Sequence, residues 1–505
     1  MLTSDFLNVI NEIEDRHPVE QWRIGSIHVW PMVRIHLAHL FFAALHRQSA
    51  DVQAGVLQRA VGVASNHAAY LSAKLQGRAR NSKPATQGSV VLLSDGLSYA
   101  TVAGRAYEKF CDPVIDHLQT IGIGSVLLTP LADYRTCRHT PPVYIQPRLD
   151  MLRANAFLCA KVRLGRPVCH LPEFESAMHE ISARLPVPRL SQDDWVLRAR
   201  YVDTVACYFE AMFARVRPPA AFVVSYYCLL GFAYNLACHR SGVVSIDLQH
   251  GTPGELHPAY CRWTKTPPRG FELLPSLFWC WNELDGAAIE ASGGEFATHH
   301  RAVVGGNMMQ NEWIVGESET VRQGDRLIRP RASPEGRRKV LLTLQPGVLG
   351  PQIRQLLLEV IARTADEFCW WIRLHPTMSG QRKDIENWLA NSRVCIDMPT
   401  ELPLYALLRH ADIHVTYSSS TVVEAEAFGI RSVVLSRYGE EFFPAQRQRG
   451  SVLFADTTDT VIAALRVQLA NRRGDDSLSR LAAARLSRAR SLISELVQPD
   501  LGKAA

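Results

Sequence analysis

Two polar clusters close buried apolar runs late in this sequence. Arg373, His375 and Pro376 end CWWIRLHP, and Ser418, Ser419 and Ser420 end DIHVTYSSS, where a helix-like segment opens behind them. Ser and Thr at a strand-to-helix turn can cap the helix, and its first N–H groups with the positive end of the dipole make an anion site. Proline stops the strand at residue 376 and holds the His375 imidazole at the sheet rim, where it can donate to an anion, with Arg373 on the same face by alternation. Glu424 follows Ser420 by four residues, on the same helical face, and can accept from sugar hydroxyls. Gln345, just past the apolar run KVLLTL, joins this anion-side set.

A second group lies earlier. Asp247, Gln249, His250 and Gly251 end the strand VVSIDLQHG, and the loop TPGELHPAY behind it carries Glu255 and His257. A carboxylate and an imidazole at one strand end are candidates for a general base or a nucleophile. Alternation puts Asp247 and Gln249 on one face, with His250 opposite unless the turn has begun. Asp95-Gly96, at the end of SVVLLSDG, offers a weaker version of the same arrangement.

Each cluster also has a purely structural explanation. His375 can cap a surface turn, the serines can simply N-cap a core helix, and Asp95 suits an Asx turn. Asp247 and His250 can likewise be structural. His299, His300 and His410 have no partners at metal-ligand spacing, so no metal site is expected. VVGGN at 303–307 lacks the third glycine of a dinucleotide fingerprint.

The elements needed to hold these residues follow from periodicity. Residues 1–85 read as helical, with Phe6, Val9, Ile10 and Ile13 at helical spacing and a second set from Trp30 to Phe41. They suit a helical cap, a dimer face or a membrane-facing hairpin. Arg47 to Arg80 reads as amphipathic, and NSKPATQG as a loop. From 86 to 310 strands and helices alternate as in a doubly wound domain, including a helix from Tyr107 to Thr120. Residues 311–338 lose periodicity and read as an inter-domain connection, a second alternating set covers 339–475, and 476–505 is a helical tail able to pack back on the first domain. In such sheets ligands bind outside the carboxyl ends of the strands, which is where both clusters fall. The expected fold is therefore α/β: two Rossmann-like domains facing across a cleft, with an N-terminal helical region.

Bulk properties set limits. The chain has 505 residues, 47% hydrophobic and 21% charged, too long for one core and ordinary for a globular protein. Its net charge of +6 is mild, and RVRPP and RPRASPEGRRK are local patches rather than arms, so no nucleic-acid partner is expected. Eleven cysteines occur without a C-x-x-C, which fits a reducing compartment. Acids at Asp5, Glu12, Glu14 and Asp15 do not suit a signal peptide, and Leu37 to Leu45 is too short to span a bilayer. The expected location is the cytoplasm, with peripheral contact at the inner membrane left open.

The order RLHP, strand, helix, DIHVTYSSSTVVEAEAFG resembles the C-terminal domain of GT-B glycosyltransferases of bacterial surface polysaccharides. It is most similar to those that use cytidine nucleotides: bacterial sialyltransferases, β-Kdo transferases and CDP-glycerol polyol phosphotransferases. The resemblance implies that His375, Pro376, Ser418, Ser419 and Ser420 hold the cytidine nucleotide and that Glu424 binds its ribose. DLQHG resembles a motif of capsule-biosynthesis transferases, which implies an acceptor side at Gln249 and Gly251 with Asp247, His250 or Asp95 catalytic, and the loop with Glu255 behind it suits a mobile acceptor loop. The implied activity is transfer of Kdo or another ulosonic acid from a CMP conjugate to a glycan or lipid-linked acceptor, with no cofactor beyond the donor. A CDP-polyol phosphotransferase and a non-catalytic nucleotide-binding subunit are the alternatives.

Overall fold

The computed structural model describes residues 3–46, 86–102, 104–130, 137–161, 167–251, 254–328, 337–470 and 476–498. The amphipathic stretch 47–80 lies outside them. The chain forms two compact units, one of Met1–Tyr99, Gly104–Met308 and Ser487–Ala505, the other of Ala100–Ala103 and Met309–Leu486.

The first unit opens with helices α1 (Thr3–Arg16) and α2 (Trp30–His46). Its centre is a seven-stranded parallel sheet of β1 (Val90–Leu93), β2 (Ser125–Thr129), β3 (Val143–Tyr144), β4 (Ala220–Val224), β5 (Val244–Leu248), β6 (Leu277–Cys280) and β7 (Arg301–Val304). The order is β7-β6-β5-β4-β1-β2-β3. Every residue of β1 and β4 is buried, the continuous apolar pattern that a parallel sheet covered on both faces requires. Covering helices include α3 (Cys111–Thr120), α4 (Gln192–Val216) and α5 (Leu229–Ser241). The apolar stripe of α1, with Phe6, Leu7, Ile10 and Ile13, joins Trp30, Val33 and Phe41 of α2 and Trp195 and Phe209 of α4 in one core. Residues 3–46 are thus an integral cap of this unit. The helix expected from Tyr107 starts instead at Cys111. Arg105–Glu108 is extended, and the Glu108 carboxylate accepts from the N–H groups of Phe110 and Cys111, capping the helix there. Residues of the tail from Ser487 group with this unit, and the Ser494 hydroxyl lies 3.0 Å from His117 Nε2.

The second unit holds six parallel strands: β8 (Arg338–Thr343), β9 (Phe368–Arg373), β10 (Val394–Cys395), β11 (Ile413–Thr416), β12 (Ser432–Val434) and β13 (Val452–Phe454). The order is β10-β9-β8-β11-β12-β13, the Rossmann arrangement of two halves wound outward from a central pair. Trp370 and Trp371 are both fully buried because β9 is covered on both faces. The stretch read as an aperiodic connection contains helices Met308–Val315 and Glu319–Ile328. The second is amphipathic, and Gly324 packs so closely on Trp313 that an added Cβ would lie 2.8 Å from the ring. Among the described residues no helix is long and apolar enough to cross a membrane.

Candidate active site

In the second unit the chain direction of winding reverses between β8 and β11, whose ends are in register at Thr343 and Thr416. Such a switch point leaves a crevice beyond the strand ends. Gln345 and Ser418 meet over it: Gln345 Oε1 accepts from the Ser418 N–H at 2.8 Å and from Thr416 Oγ1 at 3.4 Å. Ser420 occupies the N-cap position of the helix Thr421–Ala427, but its side chain makes no cap bond. Ser419 does that work, accepting from the Thr421 N–H at 3.2 Å and lying 2.9 Å from the Thr421 hydroxyl. The loop is pressed from one side by Gly439, where a Cβ would stand 2.9 Å from Tyr417 O and 2.5 Å from Val434 Cγ1, so only glycine fits.

His375 follows β9 and is exposed, with Nδ1 2.8 Å from the Thr377 hydroxyl, and Pro376 opens the turn behind it. Arg373 is tied to the segment that follows β10. Its Nη1 donates to Pro399 O and Leu402 O, both at 2.5 Å. Burial lowers its pKa to about 10, against the opposing pull of the Glu424 charge. Glu424 itself is buried, its Oε1 accepting from Tyr405 Oη at 2.9 Å. The structure therefore gathers Gln345, Ser418 and Ser419 at one point, with His375 on the neighbouring strand end.

In the first unit Asp247 lies inside β5 and is buried. Oδ1 accepts from the Tyr226 N–H at 3.0 Å and Oδ2 from Tyr260 Oη at 2.8 Å. Burial pushes this carboxyl up to about 7, while the two hydrogen bonds pull it back. Gln249 is also buried. It accepts from the Trp281 N–H at 2.6 Å and donates to Asp285 Oδ2 and Gly251 O, both at 2.8 Å. His250 stands beyond the strand with Nε2 2.9 Å from Tyr227 Oη and Nδ1 buried. Burial lowers its pKa and the Asp95 charge opposes this. Asp95 forms the Asx turn that its sequence allows, accepting from the N–H groups of Leu97 and Ser98 at 2.8 and 3.0 Å. Glu255 is exposed on its loop.

The tyrosines of this site carried no signal as single residues. Tyr226 and Tyr227 follow β4 through Ser225, which adopts a left-handed φ of 64°, and Gly231 lets α5 approach so closely that a Cβ would fall 2.3 Å from Tyr226 O. The tripeptide SYY at a strand end, ahead of a glycine, was the available clue. Gly305 and Gly306 serve packing: a Cβ on Gly305 would enter the Trp279 ring, and Trp279 Nε1 donates to Gly306 O at 2.8 Å.

No known family profile matches the chain, and no curated protein matches it. Among solved structures it is similar to UDP-GlcNAc 2-epimerase from Neisseria meningitidis bound to UDP-GlcNAc, at 15% identity and a TM-score of 0.47 over 82% of this chain and 100% of that one. The Methanocaldococcus jannaschii UDP-GlcNAc 2-epimerase aligns at 13% identity and a TM-score of 0.43, over 78% and 98%. The glycotransferase of kitacinnamycin gives 14% and 0.45, over 83% and 99%. Likeness at this level is too slight to carry an argument, and the fold and site rest on the topology described above.

Proposed function

We propose that this chain is a glycosyltransferase that moves Kdo or another ulosonic acid from its CMP conjugate to a glycan or lipid-linked acceptor in bacterial surface polysaccharide synthesis. The supporting observation is the 2.8 Å bond between Gln345 and the Ser418 N–H over the switch point of a Rossmann-ordered sheet, with His375 on the adjoining strand end. Hydroxyl and amide donors gathered there suit a nucleotide phosphate, and they stabilise the charge that develops on departing CMP. Glu424 is the acid for the ribose hydroxyls.

The acceptor chemistry belongs to the first unit. His250 is the better base, because its Nε2 is steadied by Tyr227 at the end of β5 whereas both Asp247 oxygens are already taken. In an inverting reaction it takes the acceptor hydroxyl proton. In a retaining reaction Asp247 is the nucleophile, which requires Tyr260 to release its Oδ2. The enzyme would act in the cytoplasm at the face where the polymer is assembled, with no nucleic-acid partner.

Calorimetric titration with CMP, CDP and UDP tests the nucleotide, and incubation with CMP-Kdo, CMP-sialic acid and CDP-glycerol tests the transfer. Tight binding of CMP over UDP and CMP release from a CMP-ulosonate are expected. Equal affinity for all three nucleotides, or release from CDP-glycerol alone, would overturn the donor assignment.

A further inference from the structure

Glu14 on α1 and Arg34 on α2 form an ion pair with both side chains completely buried, 2.8 Å apart. A buried pair of this kind is no efficient source of stability, since a well-packed apolar pair of similar volume serves as well or better. What an apolar pair cannot do is hold backbone, and these two residues direct most of their remaining hydrogen bonds to one segment. Arg34 Nη2 donates to Cys261 O and Arg262 O at 2.8 and 3.1 Å, and its guanidinium stacks 4.1 Å from the Trp263 ring centroid. Glu14 Oε2 accepts from the Thr264 N–H and hydroxyl at 2.8 and 2.9 Å, while Oε1 also takes Trp30 Nε1. Arg262 adopts a left-handed φ of 59°, an unfavourable conformation for a residue with a Cβ, and both its neighbours are pinned.

The same segment bears on the candidate chemistry one residue earlier. Tyr260 places its hydroxyl on Asp247 Oδ2, and Tyr226, whose N–H serves Oδ1, donates its own hydroxyl to Ala259 O. We infer that the Glu14–Arg34 pair is a positioning device for Asp247: it fixes the strap from Ala259 to Thr264 and thereby the Tyr260 hydroxyl on that carboxylate. This rests on the reading that Asp247 belongs to the acceptor-side chemistry. It gives the N-terminal helices a part in the site that contact with a ligand would not reveal.

The titratable groups around Asp247 are Tyr226, Tyr227 and Cys228 from the turn after β4, Tyr260 from the strap and Cys280 from β6. None of them carries a positive charge, so the hydrogen bonds of Tyr260 and Tyr226 are what pull the carboxyl down against its burial. Loosening the strap must therefore raise its pKa.

The test is the titration of Asp247 by 13C NMR in aspartate-labelled full-length protein, with Asp247→Asn assigning the signal. Tyr260→Phe and Arg34→Met are each expected to move the midpoint upward by about half a pH unit or more, the scale of one lost hydrogen bond to a carboxylate. Arg34→Lys keeps the charge beside Glu14 but cannot reach both carbonyls, so it should give a smaller shift and remains informative where Arg34→Met folds poorly. Phe41→Leu, in the same core but away from the strap, should leave the midpoint in place. A midpoint in the Arg34 variants equal to the wild-type value, with Tyr260→Phe shifted, would overturn the inference. A shift in protein that transfers no sugar from any donor would sink the proposed function and leave the positioning role standing.

Discussion

Gln345 offers the sharpest test of the second unit, because two substitutions separate geometry from charge. Gln345→Ala removes the acceptor of the Ser418 N–H at 2.8 Å and the weaker one of Thr416 Oγ1 at 3.4 Å. The site is half-buried, so the lost bond costs about 0.5–1.5 kcal/mol. If that loop order is needed for binding, the Kd for CMP rises about two- to tenfold. Gln345→Glu is the contrasting case. Its carboxylate accepts from Ser418 as well as the amide oxygen does, so the loop stays in place, but a negative charge now stands beside the proposed phosphate. At a separation of about 6 Å and an effective dielectric of about 20–80, that repulsion is about 0.7–3 kcal/mol. The Kd for CMP should rise about three- to a hundredfold, falling back as salt is added, while cytidine, which carries no phosphate, binds each variant alike. Calorimetric titration at two ionic strengths measures both effects. Wild-type CMP affinity in Gln345→Glu would refute the placement of a phosphate at this switch point, whatever Gln345→Ala does.

Glu424→Gln keeps the Tyr405 hydrogen bond through its amide oxygen, so it should weaken CMP without weakening 2′,3′-dideoxy-CMP, as paired titrations will show. His414 is buried between Thr343 Oγ1 and Ser432 Oγ, each at 2.9 Å, and burial depresses its pKa to about 3. The folded state therefore binds fewer protons than the unfolded one once pH falls below about 6.5, and stability present above that value is lost toward pH 3. His414→Gln should flatten the fall in urea-unfolding free energy between pH 6.5 and 5 by up to about 1.4 kcal/mol per pH unit. His257 and His300 are depressed in the same direction and contribute to both proteins, so the difference isolates His414. Trp370→Ala, which empties a fully buried site and removes the indole N–H that donates to Thr364 Oγ1, should cost about 3–5 kcal/mol by urea unfolding.

Much of the architecture was legible because parallel strands buried on both faces leave unbroken apolar runs, as in VVLL, AAFVV and FCWWI. The helix stripe of Phe6, Ile10 and Ile13 was equally plain, but whether it met a membrane, a partner or its own chain depends on long-range packing that periodicity does not encode. Two local readings failed for local reasons. Extended residues ahead of Cys111 delayed a helix that its composition allowed to start at Tyr107, and a polar amphipathic helix at Glu319–Ile328 resembled a linker because few of its residues are apolar. Side-chain partners were the least legible level. Alternation put Arg373 beside His375, yet nothing in sequence could show that the carbonyls of Pro399 and Leu402 would claim its guanidinium.

The positions of the candidate residues share one feature that explains why some were found and how they differ. β1 ends at Leu93, β5 at Leu248, β8 at Thr343, β9 at Arg373 and β11 at Thr416. Asp95, His250, Gln345, His375 and Ser418 each stand two residues further on. In three of these strands the first residue beyond the end is still held by the ladder, its N–H donating to a neighbouring strand: Ser94 to Leu128 O, Gln249 to Trp279 O and Leu344 to Arg373 O. The second residue is thus where the backbone leaves the sheet while the strand still fixes its place, the combination that a ligand-binding side chain requires. Polar residues inside the strands act instead as latches: Asp247 takes Tyr226 and Tyr260, Thr416 bonds Thr343 O, and Arg373 holds the loop at Pro399. On the function proposed above, His250 would then be the residue that meets substrate first, with Asp247 latched by Tyr226 and Tyr260. A retaining mechanism through Asp247 would have to open that latch, so a covalent sugar adduct on Asp247 in wild-type protein, found by mass spectrometry after incubation with a CMP-ulosonate, would refute the distinction, whereas adduct-free turnover abolished by His250→Ala would support it.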